Sequence, residues 1–398
     1  MNCDLTVLNR RQMARAIALA GACASTTNDL SPSDGFAEDR PTEPTLNRFP
    51  RMMQQWLVRK VRVAHRDISA TKRDLKTKQD AEAFVRDVRS RVLQSLGPLP
   101  ERTPLRPEVT AKHSRDGYRI ENIIFESRPG FPVTANLYLP DADHPVPAVI
   151  GTCGHSTDGK AAEAYQGFSQ GLAKLGFACL IYDPIGQGER LQYPRPNRHK
   201  NSRFGIGVRE HIQAGNQQFL VGENLSMWRA WDGMRALDYL LTRPEIDDSQ
   251  IGVTGNSGGG TMTTWLAGIE RRFTMAAPSC FVTTFLRNVE NEEPVDTEQC
   301  PPRALALGLE HEDFLLAMAP HPVTILAKER DFFDVRGSRE AFGRMKHVYN
   351  LLGHGDHVSL FIGPTGHGFS VENRTAMYQA FSKAVGRKIP DDEPPLIV

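Results

Sequence analysis

Ser257 stands in the run Gly255-Asn256-Ser257-Gly258-Gly259, straight after the apolar segment 251–254 and ahead of a helix predicted from Gly258. A G-x-S-x-G pattern at a strand-to-helix junction bends the chain so sharply that the serine Oγ stands clear of the sheet. The flanking glycines remove Cβ atoms that would collide in that turn. A serine hydroxyl is a poor nucleophile alone, so the pattern demands a histidine within reach and an acid to hold that histidine. Two later segments end in such groups: 323–327 runs into KERDFFD, and 358–362 runs into GPTGHGF. With the chain order serine, acid, histidine, and each partner just past a strand, the spacing selects Asp331 as acid and His367 as base. Asp334 competes with Asp331 for the acid's place, and Glu329 is a weaker rival. His354 and His357 precede their strand and read as exposed loop residues rather than a metal pair. The chemistry such a set performs is acyl transfer: His367 takes the Ser257 proton, while Asp331 fixes the imidazole tautomer.

Acyl transfer also needs donors aimed at the oxyanion. The N–H of Gly258, at a helix start, is one candidate; the other is the N–H of His155 in Gly154-His155-Ser156, just past the apolar segment 148–152, with Ser156 second to it. A phosphate-binding reading of GNSGGG fails, because the G-x-G-x-x-G order is missing and no Walker lysine follows. Asp183, in YDPIGQGER, lies at a strand end but ahead of Ser257, and reads as a residue that fixes its own loop. His211 reads as an ordinary surface histidine, with a place in the pocket as the alternative.

Those groups need a scaffold whose strand ends converge. Segments 120–127 and 133–139 read as an antiparallel pair joined by RPGFP. Strands predicted at 148–152, 177–182, 251–254, 275–277, 323–327 and 358–362 then alternate with helices near 161–175, 225–241, 258 onward, 338–352 and 371–385. Such alternation specifies an α/β protein with a mostly parallel central sheet covered by helices on both faces. The α/β domain is predicted to span 106–390, with insertions at about 184–223 and 281–320. Both insertions follow strands and so belong at the carboxyl edge of the sheet, where α/β proteins bind ligands. Ahead of the domain, 45–105 reads as a helical N-terminal segment packed on the main body. Met53, Leu57 and Val61 mark its packed face, and Arg59, Lys60, Arg62 and Arg66 its solvated one.

The 398 residues are 24% charged and 40% hydrophobic with a net charge of +1, an ordinary soluble composition. It gives no electrostatic reason to expect nucleic acid or an anionic membrane as partner, which leaves a small molecule or a carbohydrate. No stretch approaches the ~20 apolar residues that cross a bilayer. Residues 1–44 read as an export signal and disordered leader. Arg10-Arg11 ahead of the apolar run 16–24 resembles a twin-arginine signal, and a cytoplasmic tail is the alternative. The cysteines Cys3, Cys23, Cys153, Cys179, Cys280 and Cys300 show no C-x-x-C spacing, so neither a metal nor a cofactor is expected. Cys280 and Cys300 flank one connection and read as free thiols, with a bridge as the alternative in an exported chain. Arg190, Arg195, Arg198, Lys200, Arg203 and Arg209 crowd the first insertion; either one arginine there meets a substrate carboxylate, or the loop is merely solubilising. Phe332, Phe333 and Phe369 flank the acid and base and read as core at least as readily as pocket wall.

Taken together, CGHSTDGK, GLAKLGFACLIYDPIGQGER, ALDYLLTRPEIDDSQIGVTGNSGGGT, APHPVTILAKERDFF and PTGHGFS resemble the acetyl xylan esterase-like branch of the α/β-hydrolases, related to the cephalosporin deacetylases. The likeness covers about residues 90–388. It implies the α/β-hydrolase fold and a cofactor-free serine carboxylesterase that works through an acyl-enzyme on acyl groups of carbohydrates. It also implies Ser257, Asp331 and His367 as triad, and the amides of Gly258 and His155 as oxyanion hole. One departure stands out: the characterised deacetylases usually place glutamine after the nucleophile, where this chain has Gly258. Three other readings remain: an esterase for uronate or phenolic esters, a serine peptidase of related fold, and a non-catalytic binding protein on a hydrolase scaffold. Against the peptidase, the roughly 100 residues before the sheet are too few and too helical for the propeller domain such enzymes often carry.

Overall fold

Helices α1 (Met52–Arg73) and α2 (Lys78–Leu96) precede the sheet. The computed structural model describes residues 51–397 apart from 197 and 295, so the leader predicted at 1–44, with Cys3 and Cys23, lies outside the described residues. Strands β1 (Glu108–Arg115), β2 (Tyr118–Arg128) and β3 (Phe131–Pro140) come next. The chain then alternates: β4 (Val146–Thr152), α3 (Glu163–Lys174), β5 (Ala178–Tyr182), a small hairpin of β6 (Pro194–Arg195) and β7 (Arg198–Ser202), α4 (Val208–Leu220) and α5 (Leu225–Leu240). Beyond them lie β8 (Ile246–Asn256), α6 (Gly258–Ile269), β9 (Met275–Ser279), α7 (Phe285–Glu290), α8 (His311–Leu316), β10 (Val323–Arg330), α9 (Val335–Leu352), β11 (Val358–Gly366) and α10 (Val371–Ala384).

Among the described residues nine strands form one sheet in the order β1-β2-β3-β5-β4-β8-β9-β10-β11. The pairs β1–β2, β2–β3 and β3–β5 are antiparallel, and every pair from β5 onward is parallel. This is the mostly parallel α/β-hydrolase sheet that the alternation and the resemblance led us to expect. Central strands such as β4 and β5 are buried along their whole length, as strands covered on both faces must be. One face carries α3 and α10, with Tyr165, Phe168, Leu172, Met377, Tyr378 and Phe381 in its core. The other carries α5, α6 and α9, through residues such as Trp231, Leu237, Trp265, Leu266, Met345 and Tyr349. Register brings the strand ends level: Thr152 pairs with Gly255, Asn256 with Ser279, Leu326 with Ser279, and Arg330 with Gly366. The turns that leave β4, β8, β9, β10 and β11 therefore open on one edge.

Strand β1 has no counterpart among the predicted segments. Its residues EVTAKHSR are almost all exposed, so this edge strand buries no apolar face and leaves no alternating signal to read. The packed face of α1 also differs from expectation. Val61, Ile68 and Lys72 are its buried residues, with Val61 against Leu286 and Val289 of α7. Met53 and Leu57, by contrast, are 72% and 40% exposed. Their spacing is helical, but the face that meets the body runs through Gln54, Val58 and Val61 instead. Arg62, on the outer face, pairs with Glu290.

Lys72 then anchors α1. Its Nζ lies 2.7 Å from both Glu312 Oε1 and Asp313 Oδ2 of α8, all three side chains being buried, and Arg344 of α9 also reaches Glu312. Burial pushes the Asp313 carboxyl up to about 6. Burial opposes ionisation of Glu312 as well, but Arg344 and Lys72 overcome it and hold that carboxyl well below the usual range. Removing one partner of such a set strands a buried charge, which costs more than the pair contributes. Lys72→Met should therefore lower the unfolding free energy by about 3–5 kcal/mol. A urea titration would check this, and an unchanged midpoint would refute the anchoring role.

Candidate active site

Ser257 links β8 to α6 with φ 60° and ψ −122°, a backbone state that residues with a Cβ rarely adopt. The turn that imposes it is packed from below. A Cβ at Gly255 or at Gly259 would run into the Thr152 carbonyl oxygen, so both positions must be glycine for β4 to lie this close. The Thr152 hydroxyl adds a 2.7 Å hydrogen bond to the Gly259 carbonyl, and the Ser257 N–H donates to the Ser279 carbonyl at 2.9 Å. The elbow is thus tied to the strands on both sides of β8.

Asp331 directly follows β10 and His367 directly follows β11, the adjacent parallel strand. Their side chains meet, His367 Nδ1 lying 2.8 Å from Asp331 Oδ1. A proton held at Nδ1 by that carboxylate leaves Nε2 as the basic nitrogen. Asp331 is almost wholly buried, and its Oδ1 also accepts the Phe333 N–H at 3.1 Å. Asp334 does something else: it caps α9 by accepting the Arg336 N–H at 2.8 Å, and its hydrogen bonds to Arg336 hold its carboxyl below the usual range. Glu329 lies near the exposed Arg339. Among the described residues the Ser257 hydroxyl makes no hydrogen bond, either to His367 or to another group. Such contacts often tighten only when substrate arrives.

Cys280, just past β9, packs against this pair. It adopts φ 51°, its Sγ lies 3.5 Å from the Gly368 carbonyl, and burial together with the Asp331 charge pushes its thiol up to about 12. It stays protonated and inert beside the acid. Phe333 and Phe369 are buried, but Phe332 is 51% exposed, with its ring centroid 4.3 Å from that of His367. Of the three phenylalanines flanking the dyad, Phe332 alone is available to a ligand.

On the other side of Ser257, among the described residues, the amide N–H groups of Gly258 and His155 donate to no protein acceptor. The ring of His155 turns away from the solvent into a polar cluster. Its Nε2 lies 2.6 Å from Asp296 Oδ2, 3.2 Å from His211 Nδ1 and 3.7 Å from Glu298 Oε1. Burial pulls the His155 imidazole below its ordinary value; burial would raise Asp296, but His211 and His155 hold that carboxyl well below the carboxylate range. Arg229 of α5 pairs with Glu298 and donates to the Cys153 carbonyl at 3.0 Å. A Cβ at Gly258 would lie 2.5 Å from Glu298 Oε1 and 3.1 Å from His155 Cε1. The volume that a glutamine side chain would enter after the nucleophile is therefore already filled.

Several sequence readings need correcting. His211 is fully buried and belongs to this cluster, because it lies on the one buried face of α4, with Glu210 and Gly215. Arg190 is buried too, pairing with Asp232 at 2.8 Å and donating to the Asp183 carbonyl, so it is committed to the scaffold and unavailable to substrate. Arg229, outside that insertion, pairs with Glu298, whose carboxylate lies against Gly258. Asp296 and Glu298 were not singled out by sequence, since they lie in an insertion without periodicity and meet His155 only through the fold. Asp183 fixes its loop as expected, accepting from Lys160 N–H, Lys160 Nζ and Thr134. Cys153, Cys179, Cys280 and Cys300 are free thiols.

The sequence profile of the family described as Acetyl xylan esterase (AXE1) matches residues 93–297. That span includes His155 and Ser257 and stops short of Asp331 and His367. The Bacillus subtilis (strain 168) protein named "Putative hydrolase YtaP" is 25% identical over 203 residues, which cover 48% of this chain and 62% of that relative. The chain thus matches less than two thirds of the relative's length. Among solved structures, Methylesterase BT1017 superposes with a TM-score of 0.63 at 24% identity, covering 81% of this chain and 69% of the other. The Glucuronoyl Esterase from Solibacter usitatus superposes with a TM-score of 0.55 at 17% identity, over 74% of this chain and 91% of the other. At these identities the superpositions establish a shared fold.

Proposed function

The chain belongs to the acetyl xylan esterase family, and from that premise we propose that it is a serine carboxylesterase acting on acyl esters of carbohydrates. One observation carries the reading: Ser257, in its left-handed elbow, shares the carboxyl edge with the 2.8 Å pair of His367 and Asp331. In the proposed cycle His367 Nε2 removes the Ser257 Oγ proton as Oγ attacks the ester carbonyl. The amides of Gly258 and His155 receive the negative oxygen. His367 then returns its proton to the departing alcohol, and water repeats the sequence on the acyl-enzyme to release the acid. Asp331 stabilises the imidazolium throughout. The exposed face of Phe332 beside His367 offers an apolar surface for a sugar ring on the alcohol side.

Two assays together test this. A fluorophosphonate probe should label the protein, which a binding protein on the same scaffold would not allow. Matched ester and amide substrates, with acetylated xylan fragments among the esters, should then show turnover of the esters alone; equal amide turnover would favour the peptidase. No helix of the described residues is long and apolar enough to cross a membrane. The pair Arg10-Arg11 ahead of the apolar run 16–24 supports export of the chain. Replacing both arginines by lysine should leave the protein in the cytoplasmic fraction of its host, and unchanged fractionation would reject a twin-arginine route.

A further inference from the structure

The buried cluster behind the His155 amide sets two imidazoles and two carboxylates around one guanidinium. His211 Nε2 lies 2.7 Å from the Ile185 carbonyl, which can only accept, so a neutral ring carries its proton there and presents a lone pair at Nδ1. That lone pair faces Asp296 Oδ2 at 2.8 Å, His155 Nε2 at 3.2 Å and Glu298 Oε2 at 3.6 Å. In that tautomer the 2.8 Å contact between Nδ1 and Asp296 Oδ2 sets acceptor against acceptor, with both groups buried. The charges do not balance either. Asp296 and Glu298 are two carboxylates, neither more than 1% exposed, and Arg229 supplies one positive charge between them. With both rings neutral one negative charge remains, and isolated buried charge is costly.

We propose that His155 Nε2, His211 Nδ1 and the carboxylates of Asp296 and Glu298 bind a divalent transition-metal ion, zinc or manganese. Their ligating atoms all lie within 4.8 Å of one another. The 3.2 Å between the two ring nitrogens is close to the ~3.3 Å edge of a tetrahedron with bonds near 2.0 Å. Asp296 Oδ2 sits at hydrogen-bond distance from both rings and would retreat by about half an ångström on coordination. Three of the four ligands also have the outer partner that metal ligands usually have: His211 the Ile185 carbonyl, Asp296 Oδ1 the Glu298 N–H at 2.9 Å, and Glu298 the Arg229 guanidinium. Imidazoles mixed with carboxylates suit zinc or manganese better than magnesium or calcium. The absence of a cysteine motif led the sequence to suggest no metal, but these ligands come from three separated segments that no local spacing reveals. A metal here would pin the loop after β4, helix α4 and the second insertion to one another, and with them the His155 amide beside Ser257.

The test does not depend on ester hydrolysis. The full chain, purified without an affinity tag of histidines, is stripped with chelator and dialysed against Zn²⁺, Mn²⁺ or Co²⁺ singly. Elemental analysis should find one equivalent, Co²⁺ should give visible bands of nitrogen-containing coordination, and the melting temperature should rise by several degrees. His211→Ala and Asp296→Asn should each weaken binding by more than about 100-fold. Ser257→Ala should bind as the unaltered chain does, which separates this proposal from the esterase reading. Cys280→Ala should also bind normally, a needed control because Cys280, Asp331 and His367 converge within 4.8 Å as well. If the His211 variant does not fold, the cobalt spectrum of the unaltered protein decides. No stoichiometric binding of any of the three ions overturns the proposal. Loss of the metal in Cys280→Ala with retention in His211→Ala overturns it equally.

Discussion

Ser257→Ala should abolish hydrolysis of a short-chain aryl ester by about 10⁴–10⁶-fold while the protein folds as before. The large loss follows from the single role that the proposed mechanism gives the hydroxyl: it forms the bond to the acyl carbon, and no neighbouring group replaces it. Cys280, the nearest other nucleophile type, has its thiol pushed up to about 12 by burial and by Asp331 and so offers little thiolate at neutral pH. The fold should survive because the strain at 257 belongs to the backbone and the Cβ, which alanine keeps. The bonds that hold the elbow are also main-chain ones, from Ser257 N–H to Ser279 and from Thr261 N–H to Ser257. A residual rate above that of water, from the Gly258 and His155 amides alone, is consistent with the mechanism. Turnover within tenfold of the unaltered protein would remove Ser257 from the chemistry, and an equal loss of melting temperature would mean that the substitution had broken the fold instead.

How much could be read beforehand depends on where each signal resides. The elbow was legible because its demands are local: a strand, a serine and glycines at 255 and 259, each required by the approach of Thr152. Asp331 and His367 were legible because topology does the long-range work, parallel strands β10 and β11 delivering both residues to one edge from 36 positions apart. The outward turn of Met53 and Leu57 was not legible, since a helical period says which residues share a face and not whether that face meets anything. Nor was the cluster at His155. His211, Arg229, Asp296 and Glu298 sit on α4, α5 and an irregular insertion, and only the closed fold brings them together. Gly258 links both kinds of information: its place after the nucleophile was plain, whereas the reason for a glycine there is the Glu298 side chain 40 residues away in the chain.

Asp331→Asn should lower kcat by about 10⁴-fold with little change in KM, and Asp334→Ala should leave kcat almost untouched. The contrast rests on what each carboxylate touches. Asparagine at 331 keeps the shape of aspartate but can turn its amide N–H toward His367 Nδ1, which favours the tautomer protonated at Nε2. That nitrogen could no longer take the Ser257 proton, and the imidazolium formed in the cycle would lose its buried counter-charge. Asp334 has no contact with the ring and spends its oxygens on the N-terminus of α9 and on Arg336. Its loss should therefore cost about 1 kcal/mol of stability through the missing cap, visible as a lower urea midpoint. Steady-state kinetics on both variants separates the two acids. If Asp334→Ala were the variant that lost kcat, the 2.8 Å contact between Asp331 and His367 would not be the catalytic one.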